Sequence, residues 1–323
     1  MRYVLGVDGG NTKTDYLLCD ERGGVTAYLR AGTCSRENLG YEGAEAEMNR
    51  QLTRLFEKAN LRVSDVAYAV MGLAGVDNRE QQQRVTAFIT RMGFARLTVV
   101  NDSFLGIKAA SESGVGLCSI NGTEMSTGGI DLDGKTMQIG GLRAISGDDA
   151  GGTRLAEMAL NACYDQVYRF GEKTAMLCPV LELLGCEAEG LHSAIGEKFP
   201  TAVLPLSVTR VLFQAAEAGD EPARRIICHA ADTLARSAAG CALRLRLPRP
   251  VPIVLAGSVW VKGKNPLMLR TFKENFTRYS ALPCALIPLA QPPVAGAVLW
   301  AYEQAGIPAH RGAVLAAVQS AEP

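Results

Sequence analysis

The stretch Asp8-Gly9-Gly10-Asn11-Thr12-Lys13-Thr14 directly follows an apolar segment, residues 3–7, that has the composition of a short β-strand. Its two glycines let the backbone approach an anion closely, and the threonine hydroxyls and the Lys13 ammonium add hydrogen-bond donors. Asp8, at the end of the strand, suits a hydrated Mg²⁺ ion, which takes few carboxylate ligands. The stretch is not a Walker A loop, which reads Gly-x4-Gly-Lys-Ser/Thr and leads into a helix. It predicts a phosphate-binding hairpin, with a plain glycine-turn hairpin as the alternative.

A second segment repeats this pattern. Val4-Leu5-Gly6-Val7-Asp8-Gly9-Gly10-Asn11-Thr12 is similar to Val115-Gly116-Leu117-Cys118-Ser119-Ile120-Asn121-Gly122-Thr123. In both copies a second strand follows, and then an acidic glycine turn, at residues 20–24 and 131–134. A chance pairing of two hairpins is one explanation. The other is two related lobes whose hairpins face each other across a cleft and hold phosphates from both sides, because ligand sites occur at domain interfaces.

The rest of the chain alternates between strand-like and helix-like segments, which predicts an α/β architecture. We expect strands at 14–19, 66–71, 97–100 and 252–256, and helices at 41–60, 79–92, 104–110, 153–170, 207–218, 222–245 and 293–305. The polar, alanine-rich segment after residue 305 is expected to fray.

The composition argues against several classes of protein. The 323 residues carry 33 Lys plus Arg and 33 Asp plus Glu, and this zero net charge argues against nucleic acid, which needs a basic surface. No apolar run approaches the ~18 residues of a membrane span, and no early apolar stretch has signal-peptide length, so we expect a cytoplasmic protein. The nine cysteines form no Cys-x-x-Cys pair and the three histidines form no HExxH motif, so we expect free thiols and no zinc site.

Six motifs occur in the order found in the BadF/BadG/BcrA/BcrD ATPase family. They are the loop at 8–14, Gly72-Leu73-Ala74-Gly75-Val76-Asp77, Asn101-Asp102, Gly122-Thr123, Gly147-Asp148 and Ile253-Val254-Leu255-Ala256-Gly257-Ser258. Residues 292–297 also resemble the start of the family's C-terminal helix. The chain therefore resembles this family, which includes N-acetylglucosamine kinase, from residue 1 to about residue 305. The resemblance implies an α/β fold of two ribonuclease-H-like lobes of the actin/hexokinase/Hsp70 superfamily, with an interlobe cleft.

The resemblance also implies domain limits. The N-terminal lobe would comprise residues 1–112, completed by the C-terminal helix at 293–305. The C-terminal lobe would comprise residues 113–292, and residues 306–323 would form a tail.

The resemblance assigns roles to individual residues. Asp102 corresponds to the catalytic base, and Asp8 would bind Mg²⁺. The nucleotide would be bound by the two phosphate loops and a segment beside the adenosine, comprising Gly9, Gly10, Asn11, Thr12, Lys13, Thr14, Gly122, Thr123, Gly257 and Ser258. The acceptor would be bound by Ser35, Asp77, Asn101, Arg143 and Asp148.

Three of these residues keep a structural alternative. Asp102 follows a strand and precedes a helix, so it is also a candidate N-cap. Asp77 is a candidate turn residue before the helix at 79–92. Asp148 would either hydrogen-bond sugar hydroxyls or pair with Arg143 or Arg154.

Four positions depart from the family pattern. Glu124 stands where the second phosphate loop usually has glycine, so it either turns outward or weakens nucleotide binding by repelling phosphates. Leu142 and Arg143 replace the Trp-Gly of the sugar loop, and Ser35 replaces an asparagine. We hypothesise that Arg143 binds a carboxylate or phosphate of the acceptor, which a guanidinium does by bidentate pairing. The alternative is that it pairs with Asp148 or Asp149.

These observations favour an ATP- and Mg²⁺-dependent kinase that phosphorylates a hydroxyl of an amino sugar or related small sugar, and the resemblance implies a homodimer. The alternative is an ATPase switch that acts on a partner protein, like the dehydratase activators of the same family. Those activators carry a Cys-Ala-Ala-Gly-Thr-Gly segment, which does not occur here. A further alternative is a nucleotide- or sugar-binding homologue with weakened catalysis.

Overall fold

The computed structural model describes residues 1–198 and 204–321, and the side chains of residues 143, 144, 198, 204 and 205 lie outside the described part. The first lobe contains a five-stranded sheet with the order β3-β2-β1-β4-β5, in which β1, β2 and β3 are antiparallel and β4 and β5 run parallel to β1. Its strands are β1 (Tyr3–Gly9), β2 (Lys13–Asp20), β3 (Val25–Gly32), β4 (Val66–Leu73) and β5 (Leu97–Val100). Its helices are α1 (Arg36–Ala59), α2 (Arg79–Arg91) and α3 (Ser103–Ala110).

The second lobe repeats this topology. Its sheet has the order β10-β9-β6-β7-β8, with β6, β7 and β8 antiparallel and β9 and β10 parallel to β6. The strands are β6 (Gly116–Asn121), β7 (Met125–Ile130), β8 (Thr136–Gly140), β9 (Val251–Ala256) and β10 (Cys284–Pro288). Between and after them lie α4 (Gly152–Tyr168), α5 (Leu177–Leu184), α6 (Leu191–Lys198), α7 (Leu204–Glu217), α8 (Glu221–Ala242), α9 (Ser258–Gly263), α10 (Pro266–Ser280), α11 (Pro293–Ala305) and α12 (Arg311–Ala321).

The two acidic turns have matching hydrogen bonds. The Asp20 N–H donates to the Gly24 carbonyl and the Gly23 N–H to the Asp20 carbonyl, at 2.9 and 3.0 Å. Asp131 makes the same two bonds with Lys135 and Gly134, both at 3.0 Å. The repeat read from the sequence therefore corresponds to equivalent hairpins in two lobes of one topology, and the predicted α/β fold is confirmed.

Helices α3 and α11 join the lobes. Buried side chains of both helices, among them Phe104, Leu105, Val294 and Val298, pack in one core cluster with residues of both sheets. Each sheet has one further core cluster on its outer side. The helix predicted at 293–305 has the predicted limits, and its position fixes α3, the helix that follows Asp102.

The C-terminal segment differs from the expectation. It contains α12, whose Val314 and Val318 are buried in the core cluster shared by the two sheets. The Arg311 guanidinium donates to the carbonyls of Lys108 and Ala109 at the end of α3. The two valines lie one helical turn apart and form an apolar stripe. This stripe is not evident from the composition of the segment, which is polar and rich in alanine.

Several elements had no clear sequence signal. The strands β3, β8 and β10 were not predicted, because their residues are mostly half-buried and do not alternate cleanly between apolar and polar. Helix α1 begins five residues before the predicted limit, at the Ser35 cap, and is kinked at Gly40, where φ is 68°. Among the described residues, no helix has the length and apolar character needed to cross a membrane.

Candidate active site

The two equivalent hairpin turns border one cleft of about 380 Å³. Its first-lobe residues are Asn11, Thr12, Glu37, Asn38, Ala74, Gly75, Asp77, Asn101 and Asp102. Its second-lobe residues are Ile120, Gly122, Thr123, Glu124, Met125, Ser126, Gln138 and Gly141. The structure thus brings the two predicted phosphate loops and the predicted catalytic base to one cavity. A larger cavity of about 670 Å³ beside the C-terminal end of α1 contains none of the predicted site residues.

The first loop is a tight turn held by its neighbours. The Gly10 N–H donates to the Lys13 carbonyl at 2.9 Å, and the Ala74 N–H at the end of β4 donates to the Gly9 carbonyl at 2.7 Å. The Asn11 amide donates to Glu37 Oε2 at 2.8 Å, while the buried Asn11 Oδ1 has no hydrogen-bond partner within the described part of the chain. That orphaned acceptor in the cleft is suited to a bound donor or cation.

Lys13 does not line the cleft and is paired with Asp15. Its ammonium lies 2.8 Å from Oδ2 of Asp15, a carboxylate only 1% exposed. Asp15 also accepts from the Arg30 guanidinium at 2.7 and 3.1 Å and from the Tyr28 hydroxyl at 2.6 Å. These donors lower the pKa of Asp15 although its burial opposes this. Asp15 therefore remains paired if Lys13 moves to a phosphate.

The second loop is held from behind by the start of α4. The N–H groups of Gly152 and Thr153 donate to the carbonyls of Gly122 and Thr123, at 2.7 and 3.2 Å. Gly257, at φ 93°, packs on the same loop: a Cβ there would lie 2.5 Å from the carbonyl carbon of Asn121. Gly257 and Ser258 lie outside the set of cleft-lining residues, and Ser258 begins α9.

Asp102 lies between β5 and α3 and faces the cleft. Its side chain does not cap α3; instead Oδ1 of Asn101 accepts from the Ser103 N–H at 3.0 Å. Burial, and secondarily the charge of Asp77, raises the pKa of Asp102 to about 7. Of the two alternatives, the helix-capping role therefore belongs to Asn101, and the Asp102 carboxylate is left to face the cleft.

Asp8 is a second carboxylate with a raised pKa. Burial, followed by the charges of Asp102 and Asp15, raises its pKa to about 8. Clustered carboxylates of this kind favour a cation or a shared proton. No group of three or more His, Cys, Asp or Glu is placed to hold a metal ion among residues 1–198 and 204–321. Mg²⁺ does not require such a group, since it is commonly held by one or two carboxylates, waters and substrate phosphates.

Asp77 lines the cleft and is bonded from both lobes. Its Oδ1 accepts from the Asn101 amide at 3.0 Å and from the Gln138 amide of the second lobe at 2.9 Å. Its Oδ2 lies 3.8 Å from the Arg36 guanidinium. The N-cap of α2 is Asn78 and not Asp77.

Asn101 also lines the cleft, whereas two other predicted acceptor residues, Ser35 and Asp148, lie outside its lining. Ser35 is buried and its hydroxyl accepts from the Glu37 N–H at 3.2 Å as the cap of α1. Asp148 accepts from the Leu142 N–H at 2.9 Å and the Ser146 hydroxyl at 2.7 Å, and Arg154 pairs with Asp149 instead. The side chain of Arg143 lies outside the described part of the chain.

Sequence reasoning missed three residues that line the cleft, Glu37, Asn38 and Gln138, and also Arg36, whose guanidinium lies near Asp77. Arg36, Glu37 and Asn38 directly follow Ser35, so the predicted segment was correct, but Glu37 and Asn38 are the residues of it that line the cleft. Gln138 precedes the Gly140-Gly141 pair, and nothing in a single sequence indicates that β8 faces Asp77.

The paired sheets and shared cleft define the actin/hexokinase-like fold, and solved structures agree. A candidate N-acetylglucosamine kinase from Chromobacterium violaceum matches with a TM-score of 0.69 at 22% identity, over 93% of this chain and 98% of that one. A ROK family glucokinase from Streptomyces griseus, solved with glucose and AMPPNP, matches with a TM-score of 0.54 at 16% identity, over 93% and 98%.

Comparison of the sequence with protein-family models shows the family to which the chain belongs. The model of the BadF/BadG/BcrA/BcrD ATPase family matches residues 5–301, and the chain belongs to that family. The N-acetylmuramic acid/N-acetylglucosamine kinase of Clostridium acetobutylicum is 26% identical over 236 residues, which cover 72% of this chain and 77% of that protein. The resemblance read from the six motifs is therefore confirmed.

Proposed function

We propose that this protein is an ATP-dependent kinase that phosphorylates a hydroxyl of an amino sugar or a related small sugar. The observation that carries the proposal is the meeting of two hairpin turns and the Asp102 carboxylate at one cleft. Membership of an ATPase family and similarity to an N-acetylmuramic acid/N-acetylglucosamine kinase support it.

In this mechanism the two loops hold the phosphates of ATP through backbone N–H groups and the hydroxyls of Thr12 and Thr123. Asp102 accepts the proton of the acceptor hydroxyl while the oxygen of that hydroxyl attacks the γ-phosphorus of ATP. The bond from that phosphorus to the oxygen of the leaving ADP breaks. The acceptor is oriented by Asp77 and Asn101. Closure of the lobes excludes water, which would otherwise accept the phosphoryl group.

Magnesium fits the residues present. The negative charges of Asp102 and Asp15 act on the buried Asp8 carboxylate, which a cation would relieve. Asn11 Oδ1 is a buried acceptor with no hydrogen-bond partner in the described part of the chain. These two side chains would hold the ion, directly or through water. When bound, Mg²⁺ would neutralise charge on the transferring phosphates.

Glu124 supports a second candidate function, a nucleotide- or sugar-binding homologue with weakened catalysis. Its carboxylate belongs to the loop that would hold the phosphates, and the residue lines the cleft. A negative charge there opposes binding of a polyanion when water is scarce. Measuring ATP affinity tests the effect of Glu124, because micromolar binding would refute the idea that its charge weakens nucleotide binding. The rate of sugar-dependent ADP formation then separates a kinase from a homologue with weakened catalysis.

The primary test is ADP formation with a panel of amino, N-acetylated, neutral and acidic sugars, using Asp102→Asn as the control. Sugar-dependent ADP formation that the substitution abolishes supports the kinase, and sugar-independent ATP hydrolysis would favour an ATPase switch. A homodimer and a cytoplasmic location remain predictions, to be tested by light scattering and cell fractionation.

A further inference from the structure

Gln138 makes a hydrogen bond across the cleft. It lies on β8 of the second lobe, and its Nε2 donates to Oδ1 of Asp77 in the first lobe at 2.9 Å. Gly141, at φ 90°, leaves room for this bond: a Cβ there would lie 3.2 Å from Gln138 Nε2 and 3.6 Å from Asp77 Oδ1. A larger residue at 141 would crowd the bridge.

Polar groups of its own lobe also surround Asp77. Asn101 donates to the same oxygen, Oδ1, at 3.0 Å. Arg36 lies 3.8 Å from Oδ2, beyond hydrogen-bond distance. Glu37 and Asp102 are acidic groups nearby: burial first, and then the charge of Glu37, raises the pKa of Asp77, and burial first, and then the charge of Asp77, raises that of Asp102. Asp77 therefore has one oxygen, Oδ1, held from both lobes, and a second oxygen, Oδ2, that accepts no hydrogen bond from the described residues.

We propose that Gln138 is a positioning residue for the sugar acceptor, acting through Asp77. By holding Oδ1 from the opposite lobe, it orients the carboxylate so that Oδ2 accepts a hydroxyl of the acceptor, and it joins the lobes at that point of the cleft. This inference rests on the proposed sugar kinase function.

The position of the bridge predicts a selective effect. A hydrogen bond to a carboxylate is stronger than one between neutral groups, and its loss frees Asp77 to turn toward Arg36. The acceptor KM should rise about tenfold when the amide is removed, as expected for one such bond. The ATP KM should change less than about twofold, because the hydrogen-bond partners of the Gln138 amide in the described part of the chain are Asp77 and Gly140, which belong to neither phosphate loop.

The test compares kcat and both KM values for Gln138→Ala, Gln138→Glu and the control Thr136→Ala, an exposed position on the same strand. Gln138→Glu keeps the shape but places a second carboxylate beside Asp77, so it should raise the acceptor KM at least as much as alanine. Thr136→Ala should match the parent. Equal rises in both KM values, or an acceptor KM that stays at the parent value, would overturn the proposal.

A double substitution tests whether Gln138 acts through Asp77. In an Asp77→Ala background, Gln138→Ala should change sugar affinity by less than about twofold, and additive losses would overturn the proposal. Calorimetric titration with the sugar covers variants too slow for kinetics. A parent protein inactive with every sugar would defeat the proposed function together with this inference, whereas an active parent with unaltered Gln138 variants defeats only the inference.

Discussion

Gly296 of α11 lies directly against the backbone of Leu105 in α3. A Cβ at position 296 would lie 2.1 Å from the Leu105 carbonyl oxygen and 2.8 Å from the Ala109 nitrogen. Both are backbone atoms, so neither can turn aside as a flexible side chain would. Because α3 begins directly after Asp102, this helix contact fixes the position of the proposed catalytic carboxylate.

Gly296→Ala should therefore lower the free energy of unfolding by about 3 kcal/mol, through overpacking of the α3–α11 contact. The matched control is Gly312→Ala in α12, where a Cβ meets no atom within 4 Å. The control should be neutral or slightly stabilising, because alanine has the higher helix propensity. Urea unfolding of both variants decides, and equal stabilities would contradict the close contact.

The sequence predicted the parts of the fold that repeat or have strong periodicity. The loop at 8–14, its second copy and the helix at 293–305 were identified because their glycines, turns and apolar spacing are local signals. Helix α12 and strands β3, β8 and β10 were not, because their burial depends on partners distant in the chain. The packing of Gly296 against Leu105 likewise depends on tertiary structure, although residues 292–297 predicted the start of this helix.

Arg30→Ala should lower the free energy of unfolding by about 2 to 3 kcal/mol. It removes the two-bond partner of Asp15 and leaves a buried carboxylate only partly paired. Arg224→Ala, which breaks an exposed pair with Glu221, is the control and should cost less than about 1 kcal/mol. Equal effects in thermal or urea unfolding would show that Asp15 does not depend on Arg30.

The pH dependence of kcat/KM should report the ionisation of Asp102. A general base must be ionised, so activity of the free enzyme should rise with pH through the raised pKa of Asp102, about 7. Asp77→Asn removes a neighbouring negative charge and should move this limb to lower pH. An acidic limb that stays in place in the variant would contradict the coupling between the two carboxylates.

The same pKa shift affects stability in a defined direction. Because folding raises the pKa of Asp102, its protonated form favours the folded state, and this contribution is complete below the ordinary pKa near 4. It is lost as pH rises through about 7, and Asp8 acts in the same direction up to about pH 8. The melting temperature of the ligand-free protein should fall less steeply between about pH 4 and pH 7 in Asp102→Asn.

Glu124→Gly should tighten ATP binding about tenfold, because it removes a negative charge from the second phosphate loop. Glu124→Gln keeps the side-chain length and removes only the charge, so it separates electrostatics from backbone freedom. Calorimetric titration with the nucleotide measures both variants. Parental affinity in both would indicate that the Glu124 carboxylate does not act on the phosphates.

The candidate site was predicted unevenly. Asp102, Asp77 and residues of both loops line the cleft. In the first lobe they follow strands β1, β4 and β5, whose parallel arrangement brings their carboxyl ends to one edge of the sheet. Ser35 and Asp148 serve a helix cap and a loop instead, since short polar side chains bond to nearby backbone when it is available. Gln138 could not be found from the sequence, because its importance depends on the meeting of two lobes.

The central claim is that Asp102 takes the proton of a sugar hydroxyl. Its most direct test is the rate of sugar-dependent ADP formation by the parent and by Asp102→Asn, together with ATP affinity for each. We predict that kcat falls about 100-fold or more while ATP still binds and the fold is retained. A variant that phosphorylates the sugar at close to the parental rate would contradict the account.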